Sequence, residues 1–210
     1  RFTHRIPDAL DLAAAAPLLC AGITTYSPLA HWGVGPGSTV AVVGMGGLGH
    51  LGVKFAVALG AEVVVLSQGL GKRDLSLAMG ASEHLATSDP ETFRANRRRF
   101  DLILNTVSAQ LDLDAYARML ARSGTLVNVG LPEDGAQIDV RGLLSPRLSV
   151  AGSTIGGVPE TKAMLDLAAE HGIGADVEVI DAEQINAAFD RVVASDVRFR
   201  FVIDVDSMRR

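Results

Sequence analysis

The sequence has 210 residues, a formal net charge of −5 and a pI near 5.5, and this acidic balance argues against a nucleic-acid-binding protein. Hydrophobic residues make up 48% of the chain and the mean hydropathy is +0.27, which provides for a sizeable core and excludes a disordered chain. No apolar run reaches the roughly 18–20 residues of a membrane span, and we expect no membrane partner.

Short β-rich runs alternate with helical segments along the chain. The runs predict strands at 39–43, 62–66, 83–86, 101–105, 124–129 and 148–152. The remaining segments predict helices at 47–59, 72–79, 90–98, 112–121, 159–171 and 183–194. Six strands with intervening helices indicate an α/β fold of the Rossmann type, a doubly wound parallel sheet with helices on both faces.

Two parts of the sequence do not fit a self-contained sheet. Residues 1–30 include an alanine-rich run and Cys20, but no strand with an evident pairing partner. Residues 158–210 predict a helix, a strand at Asp176–Ile180, a further helix and a final strand at Arg200–Val205. Because this final strand is strongly apolar, we expect it to dock on another body.

The most informative motif is a glycine-rich stretch directly after the first strand. The run Val40–Val43 leads into Gly44-x-Gly46-x-x-Gly49, and a second apolar strand follows at Glu62–Leu66. In such a motif the first glycine permits a tight turn, the second lets the backbone approach a pyrophosphate, and the third lets the helix pack closely on the strand. The helix N-terminus also attracts phosphate groups. The motif predicts dinucleotide binding, and a glycine-rich turn in an unrelated α/β sheet is the alternative.

The end of the second strand indicates which dinucleotide is bound. An NAD enzyme usually places a carboxylate there to accept hydrogen bonds from the ribose hydroxyls, but residues 64–71 contain none. Ser67 offers a hydroxyl and Lys72 and Arg73 offer two cations, a set that suits the 2′-phosphate of NADP. The alternative is that these residues form a solvated first turn of the next helix. We favour NADP over NAD.

Cysteine and histidine usage limits the metal chemistry of the chain. The single cysteine excludes an intrachain disulfide and favours a reducing, cytoplasmic location. A lone thiolate does not hold zinc tightly, and Cys20 taken alone fits a small buried hydrophobe. The histidines lack metal-ligand spacing, and for His50, at the start of the cofactor helix, both a phosphate contact and simple packing remain open. Because the chain begins with Arg1 rather than Met, we expect it to be part of a longer protein.

Six motifs, in the same order along the chain, resemble those of one known family. The string APLLCAGITTYSPL at Ala16–Leu29 is similar to the hinge segment of zinc-dependent medium-chain alcohol dehydrogenases, specifically of their cinnamyl-alcohol-dehydrogenase-like branch. The string GMGGLGHLGVK at Gly44–Lys54 resembles the cofactor loop of that branch. The other motifs lie at Asn105–Ser108, Val129–Pro132, Gly152–Gly157 and Asp196–Asp204.

The resemblance implies a division of the chain into three parts. Residues 1–22 correspond to the end of the N-terminal part of a GroES-like catalytic domain with its hinge, and residues 23–157 to the Rossmann domain. Residues 158–210 correspond to a segment that returns to the catalytic domain. Most of that catalytic domain, with two further ligands of the catalytic zinc and a four-cysteine structural zinc lobe, has no counterpart in the sequence. The full-length family also implies a homodimer.

The resemblance implies roles for individual residues. By the resemblance Cys20 and Thr24 are the catalytic residues: Cys20 matches the third ligand of the catalytic zinc, and Thr24, like Leu48, packs on the nicotinamide ring. Arg200 matches an arginine that reaches the pyrophosphate, although a position flanking the last strand explains it equally well. The other predicted cofactor contacts are Gly44, Gly46, Gly47, Gly49, Ser67, Lys72, Arg73, Thr106, Val107, Val129, Gly130, Leu131, Ser153 and Ile155.

The activity implied by the resemblance is hydride transfer between NADP(H) and small primary alcohols or aldehydes, aromatic or allylic ones among them, with NADP and zinc as cofactors. A second hypothesis is a cofactor-binding module without activity of its own, since most of the zinc ligands are missing. A third, a zinc-free quinone reductase, is disfavoured by Cys20 and its flanking residues. Gly69 and Gly71 stand where the branch commonly has Ser and Lys, which weakens the predicted contact with a 2′-phosphate.

Overall fold

The computed structural model describes residues 3–194 and 196–209. The strands in this part of the chain are β1 (Thr39–Val43), β2 (Glu62–Ser67), β3 (Glu83–Ala86), β4 (Phe100–Asn105), β5 (Leu120–Asn128), β6 (Ser149–Gly152), β7 (Val177–Asp181) and β8 (Arg200–Asp204). The α-helices are α1 (Leu12–Ala15), α2 (Ala21–His31), α3 (Gly49–Ala58), α4 (Arg73–Ala78), α5 (Pro90–Ala95), α6 (Leu113–Ala117), α7 (Val140–Leu144), α8 (Val158–His171) and α9 (Ile185–Val193). Short 3₁₀ helices lie at Ala16–Leu19, Ala182–Gln184 and Val205–Arg209.

The main sheet is parallel and has the strand order β3-β2-β1-β4-β5-β6. The chain runs outward from β1 to β3, returns to the middle and then runs outward through β4 to β6. This order confirms the predicted doubly wound Rossmann fold. Val43 pairs with Leu66 on one side and with Asn105 on the other, so the carboxyl ends of β1, β2 and β4 share one edge. A crevice opens at this edge because the connections on the two sides of β1 diverge there.

Two apolar clusters cover the two faces of this sheet. In β1, Val40 and Val42 belong to one cluster and Ala41 and Val43 to the other, as the alternation of strand side chains requires. The first cluster includes Leu51 and Phe55 of α3 and Met164 of α8, and the second includes Ile103, Tyr116, Met119 and Leu126. Burial on both faces explains why the sequence of β1 is continuously apolar.

The N-terminal helices are an unpredicted part of the first cluster. Helix α2 buries eight of its 11 residues against α3 and α8. Within the described residues, no single helix is long and apolar enough to cross a membrane. The pair Leu12–Leu19 and Ala21–His31 reaches that length and composition only when the two are taken together, and it is bent by 57°. Burial of α2 in the core accounts for its apolar composition.

The C-terminal residues pack against the Rossmann unit and form a small sheet of their own. Helix α8 buries Met164, Leu165 and Ala168, and the hydroxyl of Ser27 on α2 donates to Glu160 at 3.0 Å. Strand β8 pairs in parallel with β7. The predicted final strand therefore has a pairing partner within the chain, unlike the expectation that it docks only on another body. The division at residues 22/23 and 157/158 stays a prediction.

Several predicted element boundaries are wrong for local reasons. The segment predicted as a helix at 112–121 leaves the helix after Ala117 and enters β5 at Leu120, where a register shift lets Leu120 pair with Phe100. The positive φ of Ser123, +63°, accompanies this irregularity. The predicted helix 90–98 ends at Ala95, and Arg98 has a φ of +55°. Helices α1, α2 and α7 were missed because their sequences lack a clear apolar period.

Candidate cofactor cleft

The glycine loop between β1 and α3 needs two of its glycines for steric reasons. Gly44 has a φ of +89°, and a Cβ atom there would lie 2.6 Å from the Val107 Cγ2 atom. A Cβ atom on Gly49 would lie 2.0 Å from the Gly44 carbonyl oxygen, so the helix can approach the strand only without a side chain. At Gly46 a Cβ atom would meet nothing within 4 Å. Contacts within the chain therefore do not require a glycine at position 46, which faces the open crevice.

A cleft of about 750 Å³ lies at the crevice above the carboxyl ends of β1, β2 and β4. Lys72 and Arg200 are the charged residues among those that line it in the described part of the chain, so its wall is cationic although the whole chain is acidic. The complete lining is Gly44, Met45, Gly46, Gly47, Leu48, Ser67, Gln68, Gly69, Gly71, Lys72, Thr106, Val107 and Arg200.

The two cations are held in different ways. The Lys72 ammonium donates to the Met45 carbonyl oxygen at 3.0 Å and lies 5.4 Å from the centre of the Phe199 ring. The Arg200 guanidinium lies beside the loop, and a Cβ atom placed on Gly47 would be only 3.0 Å from its Nε atom. This Nε atom is buried and has no hydrogen-bond partner within the described residues. A buried guanidinium nitrogen without an acceptor is costly, and an anionic group in the cleft would supply the acceptor.

A network of side-chain amides fixes the loops that follow β4 and β5. Asn105 donates from Nδ2 to Asn128 Oδ1 at 2.5 Å and accepts the Val107 N–H at 3.0 Å. Asn128 donates to the Gly130 carbonyl oxygen at 2.6 Å. A Cβ atom on Gly130 would lie 2.1 Å from the Val107 carbonyl oxygen, so the two loops are in direct contact. The network thereby fixes the backbone of Val107, which lines the cleft.

His50 is a buried polar residue directly behind the glycine loop. It is 0% exposed, its Nδ1 atom lies 3.1 Å from the Gly46 carbonyl oxygen, and its ring stacks on Phe199 with the centroids 4.4 Å apart. Burial lowers the pKa of His50 to about 4, with Lys54 and Arg200 acting in the same direction and the Gly46 hydrogen bond and Asp176 opposing it. The imidazole is therefore neutral near pH 7, and the structure favours packing over a direct phosphate contact.

The cleft contains nine of the residues predicted to bind cofactor, and the others lie outside its lining. The nine are Gly44, Gly46, Gly47, Leu48, Ser67, Lys72, Thr106, Val107 and Arg200. Gly49 lies behind the loop and Gly130 behind Val107. Those outside the lining are Thr24, Gly49, Arg73, Val129, Gly130, Leu131, Ser153 and Ile155.

The predicted residues outside the cleft fall into buried and exposed groups. Thr24 is buried in α2, and Val129 is partly buried against the core. Leu131 is 84% exposed and Ile155 is 56% exposed. The backbone N–H of Ser153 donates to the Asn128 carbonyl oxygen at 3.0 Å. The predicted contacts at 129–131, and Ser153 with Ile155, thus lie outside the cleft wall.

Cys20 differs from the expectation of a small buried hydrophobe, because its side chain is exposed. It lies between the 3₁₀ helix Ala16–Leu19 and α2, where its neighbours Leu18 and Ala21 face the core and turn it outward. Within the described residues no three His, Cys, Asp or Glu side chains are grouped so that they could hold a metal ion. The residues present therefore do not make a zinc site, which requires at least three protein ligands.

Some residues of the cleft escaped the sequence analysis. Met45 and Gln68 line it, and Phe199 contacts the Lys72 ammonium and stacks on His50. Gly69 and Gly71 also line the cleft, and the sequence analysis named both only as departures from the family pattern at this position. For Phe199 there was no local signal, because its contacts with His50 and Lys72 join distant parts of the chain.

The fold and the cleft define this chain as a Rossmann-type α/β unit with an anion-attracting crevice. The family model described as zinc-binding dehydrogenase matches residues 47–170, and the chain belongs to that family. This result confirms the family resemblance of the sequence motifs. A probable formaldehyde dehydrogenase of Bacillus subtilis is 57% identical over 208 residues, which are 99% of this chain and 60% of that protein. An NADP-dependent alcohol dehydrogenase of Mycolicibacterium smegmatis is 58% identical with the same coverage.

Solved structures lead to the same branch of the family. A cinnamyl alcohol dehydrogenase from Sorghum bicolor superposes with a TM-score of 0.92 at 43% identity, covering 96% of this chain and 58% of that one. The enzyme of the same class from Helicobacter pylori, solved with NADP(H), gives a TM-score of 0.84 at 38% identity, covering 94% and 56%. The chain thus spans about 60% of the length of the curated relatives it matches.

Proposed function

We propose that the cleft binds NADP(H). The observation that supports this most directly is the Arg200 Nε atom, which is buried beside Gly47 and lacks an acceptor within the described residues. The pyrophosphate of a dinucleotide lying across the glycine loop would accept from it. Open space at Gly46 and the N-terminus of α3, which no side chain caps, favour the same placement.

The choice of NADP over NAD rests on the wall beside the end of β2. This wall includes Ser67 and Lys72, and no carboxylate lines the cleft in the described part of the chain. A hydroxyl and an ammonium group suit the two negative charges of a 2′-phosphate, whereas the ribose hydroxyls of NAD would lack their usual acceptor. Arg73 lies outside the cleft wall and adds its charge only from a distance. The relatives named as NADP-dependent agree with this assignment.

We propose further that the complete protein is an oxidoreductase acting on small alcohols and aldehydes. When bound, NADP(H) would supply the hydride chemistry that interconverts an aldehyde and an alcohol. The residues of this chain bind and orient the dinucleotide. Lys72 and Arg200 neutralise phosphate charge, and the loops held by Asn105 and Asn128 shape the end of the cleft. The names of the relatives support this substrate class.

Catalytic zinc would need ligands that the described residues do not supply. Cys20 is exposed and alone among these residues, so it could at most complete a site formed with another part of the protein. The same observation favours the second candidate function, a cofactor-binding module without activity of its own. We therefore expect this 210-residue chain to bind NADPH but to hold no stoichiometric zinc.

Fluorescence titration with NADPH and NADH tests the cofactor assignment, and a steady-state assay with NADPH, an aromatic aldehyde and added zinc tests the activity. We expect saturable binding that is tighter for NADPH, and no turnover by this chain alone. Turnover by the isolated chain would refute the module hypothesis. Failure to bind either dinucleotide would refute the cofactor assignment itself.

A homodimer formed through β6 is the oligomeric state that we propose. Strand β6 is an edge of the main sheet, and Ser149, Val150 and Gly152 are exposed on it although parallel sheets are normally covered. Leu144, just before this strand in the chain, is 68% exposed. Pairing with the β6 edge of a second copy would satisfy its backbone groups and cover these apolar side chains.

A further inference from the structure

The two ring nitrogens of His50 make different contacts, which determine its tautomer. The backbone N–H of Asp176 points at Nε2 from 3.4 Å, so Nε2 is the acceptor. Nδ1 therefore has the proton and donates to the Gly46 carbonyl oxygen at 3.1 Å. Burial keeps the ring neutral by lowering the pKa of His50 to about 4, which preserves both contacts near pH 7.

The contact with Gly46 determines the direction of a backbone donor in the loop. The Gly46 carbonyl oxygen accepts from both the backbone N–H and the side chain of His50, each at 3.1 Å. In a trans peptide the C=O and the following N–H point in opposite directions. Holding the carbonyl toward α3 therefore turns the Gly47 N–H away from the helix. Within the described residues this N–H has no hydrogen-bond acceptor, and Gly47 lines the cleft.

The ring of His50 also supports the residue that precedes Arg200. The rings of His50 and Phe199 are stacked at an interplanar angle of 8°, and Phe199 has a φ of +74°. This backbone conformation is strained for a bulky side chain and persists only where packing maintains it. The stack therefore fixes the direction in which the chain enters β8, and with it the place of the Arg200 guanidinium beside Gly47.

We propose that His50 is a positioning residue for dinucleotide binding, which aims the Gly47 N–H through Gly46 and places Arg200 through Phe199. This inference rests on the proposed function of the cleft. His50 itself does not line the cleft, and its contacts with Asp176 and Phe199 join α3 to residues more than 120 positions away. Simple core packing would require an apolar residue here rather than one that makes two polar contacts.

The variants His50→Phe and His50→Ala separate the two contributions. Phenylalanine keeps a ring against Phe199 and loses the hydrogen bonds, whereas alanine loses both. We expect the NADPH dissociation constant to rise several-fold in His50→Phe and at least about tenfold in His50→Ala. In an Arg200→Gln background the difference between Phe and Ala at position 50 should vanish, because the ring acts through Arg200. The proposal would be overturned if the ratio of the NADPH dissociation constants of His50→Ala and His50→Phe were unchanged in that background, or if His50→Ala kept wild-type affinity.

A control variant and a cofactor-independent measurement complete the test. Phe93 packs edge-on against Tyr116, in the cluster on the other face of the sheet, so Phe93→Leu lowers stability without touching the cleft. It should leave NADPH affinity unchanged, and an equal loss there would mean that general stability explains the effect. The Arg200 Nε–H is buried, so its hydrogen exchange, followed by NMR without cofactor, should accelerate in His50→Ala. Unchanged exchange contradicts the positioning role, whereas a wild-type chain that fails to bind NADPH contradicts only the proposed function.

Discussion

Two glycines of the same loop should respond in opposite ways to substitution. A side chain at Gly46 would project into open space, since a Cβ atom there meets nothing within 4 Å. A side chain at Gly49 would collide with the Gly44 carbonyl oxygen at 2.0 Å, and a backbone atom cannot move aside as a flexible side chain can. Gly46→Val therefore tests the ligand, and Gly49→Ala tests the packing of α3 on β1.

The expected magnitudes differ accordingly. For Gly46→Val the free energy of unfolding should change by no more than about 0.5 kcal/mol, as is usual for an exposed site. NADPH affinity should fall at least about 100-fold, or roughly 2.7 kcal/mol, because the isopropyl group occupies the space of the pyrophosphate. Gly49→Ala should cost about 3 kcal/mol of stability, at the upper end for overpacking. For a chain of this size that lowers the Tm by roughly 6–12 °C.

Chemical denaturation measures stability, and calorimetric titration with NADPH measures affinity. Both are needed on the same two variants. Unchanged NADPH affinity in Gly46→Val would show that no ligand crosses the loop and would refute the assignment of the cleft. Wild-type stability in Gly49→Ala would show that the close approach of helix and strand is not required.

Four further predictions follow from single contacts. The folded-state pKa of His50, about 4, lies below its ordinary value of 6.5, so only the unfolded chain takes up the proton as the pH falls from 6.5 to 4. The free energy of unfolding should therefore decrease over that window by about 3 kcal/mol. Acid-dependent denaturation should show a smaller decrease in His50→Phe, and an identical decrease would contradict the assignment. Lys72→Ala should weaken NADPH binding more than NADH binding, by about 1–3 kcal/mol in parallel titrations, and equal losses would mean that Lys72 does not contact the 2′-phosphate. Asn105→Leu should lower the free energy of unfolding, measured in urea, by about 2–3 kcal/mol, because the Val107 N–H and the Asn128 amide oxygen lose their hydrogen-bond partner. A loss below about 0.5 kcal/mol would show that the network is dispensable. Val150→Lys should convert the dimer to a monomer, as measured by light scattering, whereas Val179→Lys, on the exposed small sheet, should leave the mass unchanged. The reverse pattern would place the interface on β7 and β8.

The sequence alone was sufficient for the fold class and the position of the cofactor loop. Both depend on local patterns. The apolar run of β1 predicts burial on both faces, and the spacing of Gly44, Gly46 and Gly49 predicts a tight turn into a helix. The absence of a carboxylate at residues 64–71 is likewise readable without a structure. The family motifs indicated the family, since their order along the chain matches one branch of dehydrogenases.

Only the tertiary structure shows which residues support the cleft from the side of the core. His50, Phe199 and Arg200 meet through a pairing of distant segments that no local period encodes, and the strained φ of Phe199 exists only because the packed rings hold it. The register shift that starts β5 at Leu120 also depends on its pairing with Phe100, so the apolar residues there were taken for a helix. Exposure of Cys20 depends on the bend between two helices, a long-range consequence of how each buries its apolar side. Local patterns determine which elements form, whereas contacts between elements determine which side chains line the cleft.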